Sequence, residues 1–302
     1  MPDHFETSNF ETGHFETSQL KTSHVAPIIG YHRAPLSQKF GAPRQPNLVA
    51  LSSVIEMIAP YDTPAAFVGL EAFSHIWISW QFHHNYLTKS NHVNKAKPSD
   101  ESDGNTNFRA QVRPPRLGGN QKIGVFASRS MYRPSALGLS VVKLERIEVL
   151  EGRVLLMISG ADMIDGTPII DIKPYVAYSD AHINAESGFA PIAPAPLTVV
   201  MTELAREQFG EIVCGEIVSS GYFTESSSKK HTTVATVIDK IQQQLIDSDI
   251  EPIKALIAQD PRPAYRRNEL HSIFIMRYKS VDVSFQSIEE GHLQIIAVKL
   301  AV

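Results

Sequence analysis

Apolar positions in the first half of this chain recur mostly with a period of two. HIWISWQF (75–82) alternates and is rich in aromatic and β-branched residues, which predicts a strand with one buried face. PIIGYHR (27–33), VIEMIAP (54–60), IGVFASR (123–129) and PIIDIKPYV (168–176) predict further strands. GLSVVKLERIEVL and RVLLMISGADMI predict a long hairpin joined by Glu151-Gly152, a turn dipeptide. Strands accumulate without regular intervening helices, so the pattern predicts a β-barrel or curled sheet. No GxGxxG follows a first strand, which argues against a doubly wound dinucleotide fold.

The pattern changes after an Ala- and Pro-rich stretch at 185–196, which reads as a linker. Thr198 to Gln208 and Thr232 to Ala258 have helical patterning. In the latter, Val234, Val237, Ile238, Ile241, Leu245, Ile253, Leu256 and Ile257 form a stripe. Pro252 is expected to break or restart that helix. SIFIMRY, VDVSF and LQIIAVKL then predict a small sheet. The expected fold is therefore mainly β with an α+β appendage: a barrel domain at 25–184, the linker, and a C-terminal α+β domain at 197–302.

Two stretches lack any core-forming pattern. Residues 1–24 carry a five-residue repeat beginning at His4, Asn9, His14 and Gln19, and read as a disordered tail. His4, His14 and His24 recur every ten residues; the duplication explains that spacing more cheaply than a metal would. Asn85 to Asn107 is polar with almost no apolar anchor and predicts a long surface loop, functional or mobile.

Composition narrows the classes. The chain has 302 residues, 43% of them hydrophobic, enough for one large or two modest domains. A net charge of −4 leaves no global basic field, so any nucleic acid must meet a local patch. The single cysteine, Cys214, excludes an internal disulfide and a cysteine metal cage, and the cytoplasm is the expected compartment. No His, Cys or carboxylate group has a recognised metal spacing, so no metal is expected.

The candidate chemistry is concentrated in VRPPRLGGNQKIGVFASRSMYRP (112–134). It places Arg113, Arg116, Arg129 and Arg133 beside Gly118, Gly119 and Gly124, a lining suited to an anionic or nucleotide-like ligand. Arg44 and Gln45 stand between Pro43 and Pro46, where stiff backbone holds side chains at low entropic cost; a plain Pro-rich loop is the alternative. His83 and His84 end an apolar strand, where a histidine can bond a ligand or move a proton, or simply be structural. Adjacent strand residues face opposite ways, so at most one of the two rings should enter a pocket. GADMIDGTPIIDIKPY brings Asp162, Asp165, Asp171 and Lys173 close in sequence around an Asp-Gly turn; the aspartates suit ribose hydroxyls or an amine. QDPRPAYRRNEL sets Arg262, Arg266 and Arg267 around Tyr265, a pattern for phosphates and a stacked base, or a solvated basic turn.

Taken together, PRQPNL, GLEAFSHIWISWQFH, VRPPRLGG, GVFASRSMYRP, GLSVVKL and DGTPIIDIKPY, resuming at DPRPAY, resemble the TsaA-like (TrmO) family of tRNA methyltransferases. The resemblance is dense over about 27–180. It implies a β-barrel methyltransferase domain, a smaller C-terminal domain and a homodimer. The implied reaction is S-adenosylmethionine-dependent N6-methylation of N6-threonylcarbamoyladenosine at position 37 of tRNA. By the family pattern, Pro43, Arg44, Gln45, His83, His84, Arg129, Leu139, Gly160, Ala161, Asp162 and Met163 would contact the cofactor. Arg113, Arg116, Arg133, Lys173, Arg262, Tyr265, Arg266 and Arg267 are the expected substrate contacts. Asp165 and His83 are the candidate bases. The chain departs from the family where RPNPIG becomes RPSALG (133–138), losing any asparagine role there, and in its long 85–107 loop and N-terminal repeats. The alternatives are a non-catalytic RNA- or nucleotide-binding module and a nucleotide hydrolase. The hydrolase reading lacks a clear nucleophile–base pair.

Overall fold

The computed structural model describes residues 25–84, 109–219 and 232–301; the N-terminal repeats and the 85–107 loop lie outside them. Six strands close into an antiparallel barrel: β1 (Gly30–Arg33), β2 (Ser52–Met57), β3 (His75–Gln81), β6 (Leu137–Leu150), β7 (Arg153–Ser159) and β8 (Pro168–Pro174). Their order around the barrel is β1-β2-β7-β6-β3-β8. A small ribbon pairs β4 (Gln111–Val112) with β5 (Ile123–Gly124).

Alternation decides what fills the barrel. Ile76, Ile78 and Trp80 of β3 point inward with Val142, Leu144, Leu156, Ile158 and Ile169, all buried. Trp77, on the opposite phase, donates its indole N–H outward to Asp180 at 2.8 Å. The β6–β7 hairpin closes on Glu151 (φ 54°) and Gly152 (φ 78°), the two positive angles of a twist-matched two-residue turn.

The IGVFASR run departs from its expected strand. Only Ile123 and Gly124 pair, and Val125–Ala127 tightens into a 3-10 turn that buries Val125 and exposes Phe126. Thr198 to Gln208 is also not one helix. β9 (Thr198–Met201) joins the C-terminal sheet, and α1 (Glu203–Ser219) begins after Thr202, whose hydroxyl caps the Ala205 amide. β-branched side chains in TVVM favour the strand.

The stripe beyond residue 232 forms α2 (Val234–Gln242) and α3 (Ile250–Ala258). Pro252 sits in the first turn of α3, where a missing N–H costs nothing. The C-terminal sheet runs β10-β11-β12-β9, with β10 (Phe274–Tyr278), β11 (Val281–Glu289) and β12 (His292–Leu300).

The two halves share hydrophobic contacts. α2 lays Val234, Val237, Ile238 and Ile241 on the outside of the barrel against Val54, Leu155 and Met157. Leu36, Val49 and Leu51, from the segment between β1 and β2, are buried with Phe209, Leu256, Met276 and Phe285 of the C-terminal half. Residues 185–196 carry no helix or strand.

Candidate functional site

Every strand of this barrel is antiparallel to its neighbours, so one rim collects the C-terminal ends of β1, β3 and β7 and the N-terminal ends of β2, β6 and β8. The segments at that rim are 34–51, 82–84, 125–136 and 160–167. Four stretches far apart in sequence thus meet at one mouth.

Gln45 and Arg129 touch there: the guanidinium donates to Gln45 Oε1 at 2.6 Å. Arg129 also faces Asp162, whose carboxyl is raised above its usual range because burial outweighs its hydrogen bonds and the arginine's charge. Ser140 donates to Asp162 Oδ1 at 2.6 Å, and the Trp80 indole donates to Ser140 Oγ at 3.0 Å. Gly160, at φ +83°, turns the chain out of β7, and a Cβ there would stand 2.4 Å from Asn47 Oδ1. Asn47 in turn donates its side-chain amide to the Val141 carbonyl at 3.0 Å, tying the 34–51 segment to the rim.

The neighbouring part of the mouth holds the histidines. The His83 and His84 rings meet edge-on with centroids 4.3 Å apart. His83 titrates below its ordinary value, first because it is partly buried and then because of the charges on His84 and Lys39; Asp165 opposes this. Lys39 donates to the His84 carbonyl at 2.6 Å. Asp165 Oδ1 accepts from the Ala34 amide at 3.0 Å and from Gln242 Nε2 of α2 at 2.7 Å. Behind the Asp165 turn lies His32, buried inside the barrel. Its Nδ1 lies 3.2 Å from the Ile164 carbonyl, and burial pushes its pKa down to about 4.

Other sequence candidates are placed differently. Ala161 and Met163 are packed in the barrel core, which leaves them backbone roles at the mouth. Leu139 is 55% exposed on the outer wall, because the alternation of β6 turns Ser140 inward instead. Arg44 leaves the rim: its guanidinium lies 3.4 Å from the Asp260 carbonyl and 3.5 Å from that of Arg262, and burial and Arg267 lower its pKa. Arg133 folds back on the Ser128 carbonyl at 2.7 Å. Arg113 and Arg116 are exposed on the β4–β5 ribbon, where Arg116 holds the Ile192 carbonyl.

Two substrate candidates are placed differently. Lys173 pairs with Asp171 at 2.9 Å near the far end of β8, about 16 Å along the strand from the mouth. Arg262 is 4% exposed and bonds Asp260 Oδ1 at 2.7 Å, so it is a buried anchor and not a surface contact. Arg267 flanks the same carboxylate at 3.2 Å. Arg266 pairs with Glu269 at 2.7 Å and lies over the Phe274 ring, whereas Tyr265 is 85% exposed. Among the described residues no group of three His, Cys, Asp or Glu is placed to hold a metal.

Sequence motifs alone pass over Trp80, Ser140, Asn47, Lys39, His32 and Gln242. The period of two holds a usable signal for the first two, since it sets Trp80 and Ser140 on the inner face.

Comparison with known proteins identifies the family. Residues 31–181 match the model of the tRNA-methyltransferase O N-terminal domain, and residues 230–301 match the TrmO C-terminal domain. A putative S-adenosylmethionine-dependent methyltransferase RcsF from Pseudomonas aeruginosa is 38% identical over 84% of this chain and 89% of its own length. A tRNA (adenine(37)-N6)-methyltransferase from Escherichia coli is 35% identical over 85% of this chain and 94% of its own. The crystal structure of TrmO from Pseudomonas aeruginosa superposes with a TM-score of 0.62 at 29% identity, covering 92% of this chain and 98% of that one. With both domain models matched in order along the chain, and relatives matched over most of its length, this protein belongs to the TrmO family.

Proposed function

We propose that the barrel mouth is where S-adenosylmethionine and N6 of adenosine 37 in tRNA are brought together. The protein is an S-adenosylmethionine-dependent tRNA (adenine-37 N6)-methyltransferase, in line with its relatives. The observation that carries the site assignment is the convergence of Gln45, Arg129, Asp162 and His83 from four separate segments on one rim.

The residues present fit the cofactor. Asp162 offers a half-sheltered carboxylate to hydroxyl or ammonium donors, and the Arg129 fork suits a carboxylate. When bound, the cofactor supplies an electrophilic methyl group on a sulfonium. The protein itself must align the adenosine and take a proton from N6. His83 suits the role of proton acceptor. Its depressed pKa keeps the ring neutral near pH 7, and the Asp165 carboxylate beside it stabilises the ring once protonated.

The same reading extends to the substrate. The preferred adenosine carries the N6-threonylcarbamoyl group, whose carboxylate would meet the Lys39 charge at the mouth. Arg113, Arg116, Tyr265, Arg266 and Arg267 are exposed or half-exposed and are the proposed tRNA contacts. Exposed Phe126, Leu137 and Leu139 beside the mouth support a homodimer, the state that the family resemblance implies. Because tRNA is the substrate, the cytoplasm is the proposed compartment.

The test is methyl transfer from labelled S-adenosylmethionine to tRNA with and without the threonylcarbamoyl group. Transfer to the modified tRNA alone is expected. Equal rates on both would leave a general tRNA adenine methyltransferase, and no transfer to either would favour a non-catalytic binding module.

A further inference from the structure

A chain of two hydrogen bonds runs inside the barrel behind Asp162. It starts at Trp80 on β3, whose ring lies over Gly138 of β6. A Cβ at residue 138 would stand 2.3 Å from the indole, so only glycine lets the ring sit there. Phe82 closes the other side, edge-on at 4.3 Å. The indole is thereby fixed, and its N–H can only donate. It donates to Ser140 Oγ at 3.0 Å, which directs the hydroxyl's single proton at Asp162 Oδ1, 2.6 Å away. Ser140 is 1% exposed, so water does not compete for that proton.

We infer that Trp80 and Ser140 are positioning residues that act through Asp162, orienting its carboxylate for a hydroxyl or ammonium donor of the nucleoside cofactor. The inference rests on the assignment of the mouth as the cofactor site. Its physical content is directional. Serine without the indole has a rotor free to accept or donate; with the indole it must donate. A carboxylate that receives a fixed proton on one oxygen presents its remaining lone pairs in a set direction. Among the described residues, the charged side chain that bears on this carboxylate is Arg129; Ser140 supplies the neutral contact. Burial raises the Asp162 carboxyl, and the serine bond works against that shift.

Ser140→Ala removes the proton without adding bulk. Two readouts follow, neither of which needs turnover. The dissociation constant for S-adenosylmethionine should rise about tenfold, the usual worth of a hydrogen bond to a charged group. In the protein without cofactor, the carboxyl carbon of Asp162 should titrate at higher pH, seen by carbon NMR. Trp80→Phe should weaken cofactor binding in the wild-type background but add nothing to Ser140→Ala, because both act through one proton. Should Trp80→Phe fail to fold, Ser140→Ala still decides the matter.

5′-Methylthioadenosine keeps the ribose and lacks the ammonium. If it loses affinity in Ser140→Ala as S-adenosylmethionine does, the donor is the ribose; if its affinity holds, the donor is the ammonium. Unchanged affinity for S-adenosylmethionine and an unmoved Asp162 titration would overturn the inference. Asp162→Asn separates the two levels. If it leaves cofactor affinity intact, the cofactor-site assignment fails; if it weakens binding while Ser140→Ala does not, only the positioning role fails.

Discussion

The barrel mouth and the C-terminal domain treat charge in opposite ways. In the C-terminal domain cations are matched to carboxylates: Arg262 and Arg267 to Asp260, Arg266 to Glu269, Arg277 to Asp282, Lys279 to Asp249. At the mouth, Arg129 is held by the neutral Gln45, Asp162 by a serine hydroxyl, and His83 is kept from protonating by burial and by like charge. Matched charges stabilise a shape. Charges held by neutral dipoles keep their fields for a ligand, and perturbed titration in a cleft is the usual mark of chemistry. The contrast explains why the QDPRPAYRRNEL run, rich in cations, is partly scaffold around Asp260, while the sparser mouth is the proposed site.

The contrast is broken first at Asp260. Asp260→Ala strands the buried Arg262 and the half-buried Arg267, which should cost about 3–5 kcal/mol of stability. Urea unfolding measures it, and Gln45→Ala is the matched control from the mouth, expected to move the midpoint far less. A loss below about 1 kcal/mol for Asp260→Ala would end the idea that these pairs are structural.

His32 gives the next largest effect. Its folded pKa of about 4 lies below the ordinary value of 6.5, so the unfolded chain binds the proton more readily between those values. The stability contribution is complete above pH 6.5 and is lost as the pH falls toward 4, by about 3 kcal/mol in all. Denaturant titrations across that window check it, with His32→Gln expected to flatten the dependence. In the C-terminal domain burial acts on a phenol instead: burial and Asp249 push Tyr278 upward, keeping it neutral across that window.

The smallest effect sharpens the comparison at its centre. Arg129→Ala should weaken S-adenosylmethionine binding by about 1–3 kcal/mol while leaving stability nearly unchanged, since its hydrogen-bond partner is a neutral amide. Calorimetry with a parallel thermal melt separates the two quantities. Equal losses in both would place Arg129 with the scaffold.

Much of this is legible in the chain, for identifiable reasons. Half-buried strands such as HIWISWQF announce themselves by alternation, and Glu151-Gly152 by turn chemistry. IGVFASR misleads because its apolar content is strand-like while its pairing ends at Gly124. TVVM reads on into the helix that follows, although its β-branched residues argue otherwise. Motif residues such as Gln45, Arg129 and Asp162 can be named, but their mutual contacts depend on barrel closure, which pairs β3 with β6 and β1 with β8. A cation's fate is not legible: Arg262 and Arg266 look alike in PRPAYRR, and only packing around Asp260 buries one of them.

The segment between β1 and β2 has the widest consequence. It carries Gln45 and Asn47 to the mouth, yet its apolar residues Leu36, Val49 and Leu51 are anchored among Phe209, Leu256, Met276 and Phe285. Gly41 is pressed against Met276 so closely that a Cβ would stand 2.5 Å from its sulfur. The lip of the barrel is therefore moored outside the barrel. On the proposed assignment of the mouth, core substitutions in the C-terminal half will be read out as changes in cofactor grip. A barrel cut from this chain alone would expose Leu36, Val49 and Leu51 where its lip used to dock.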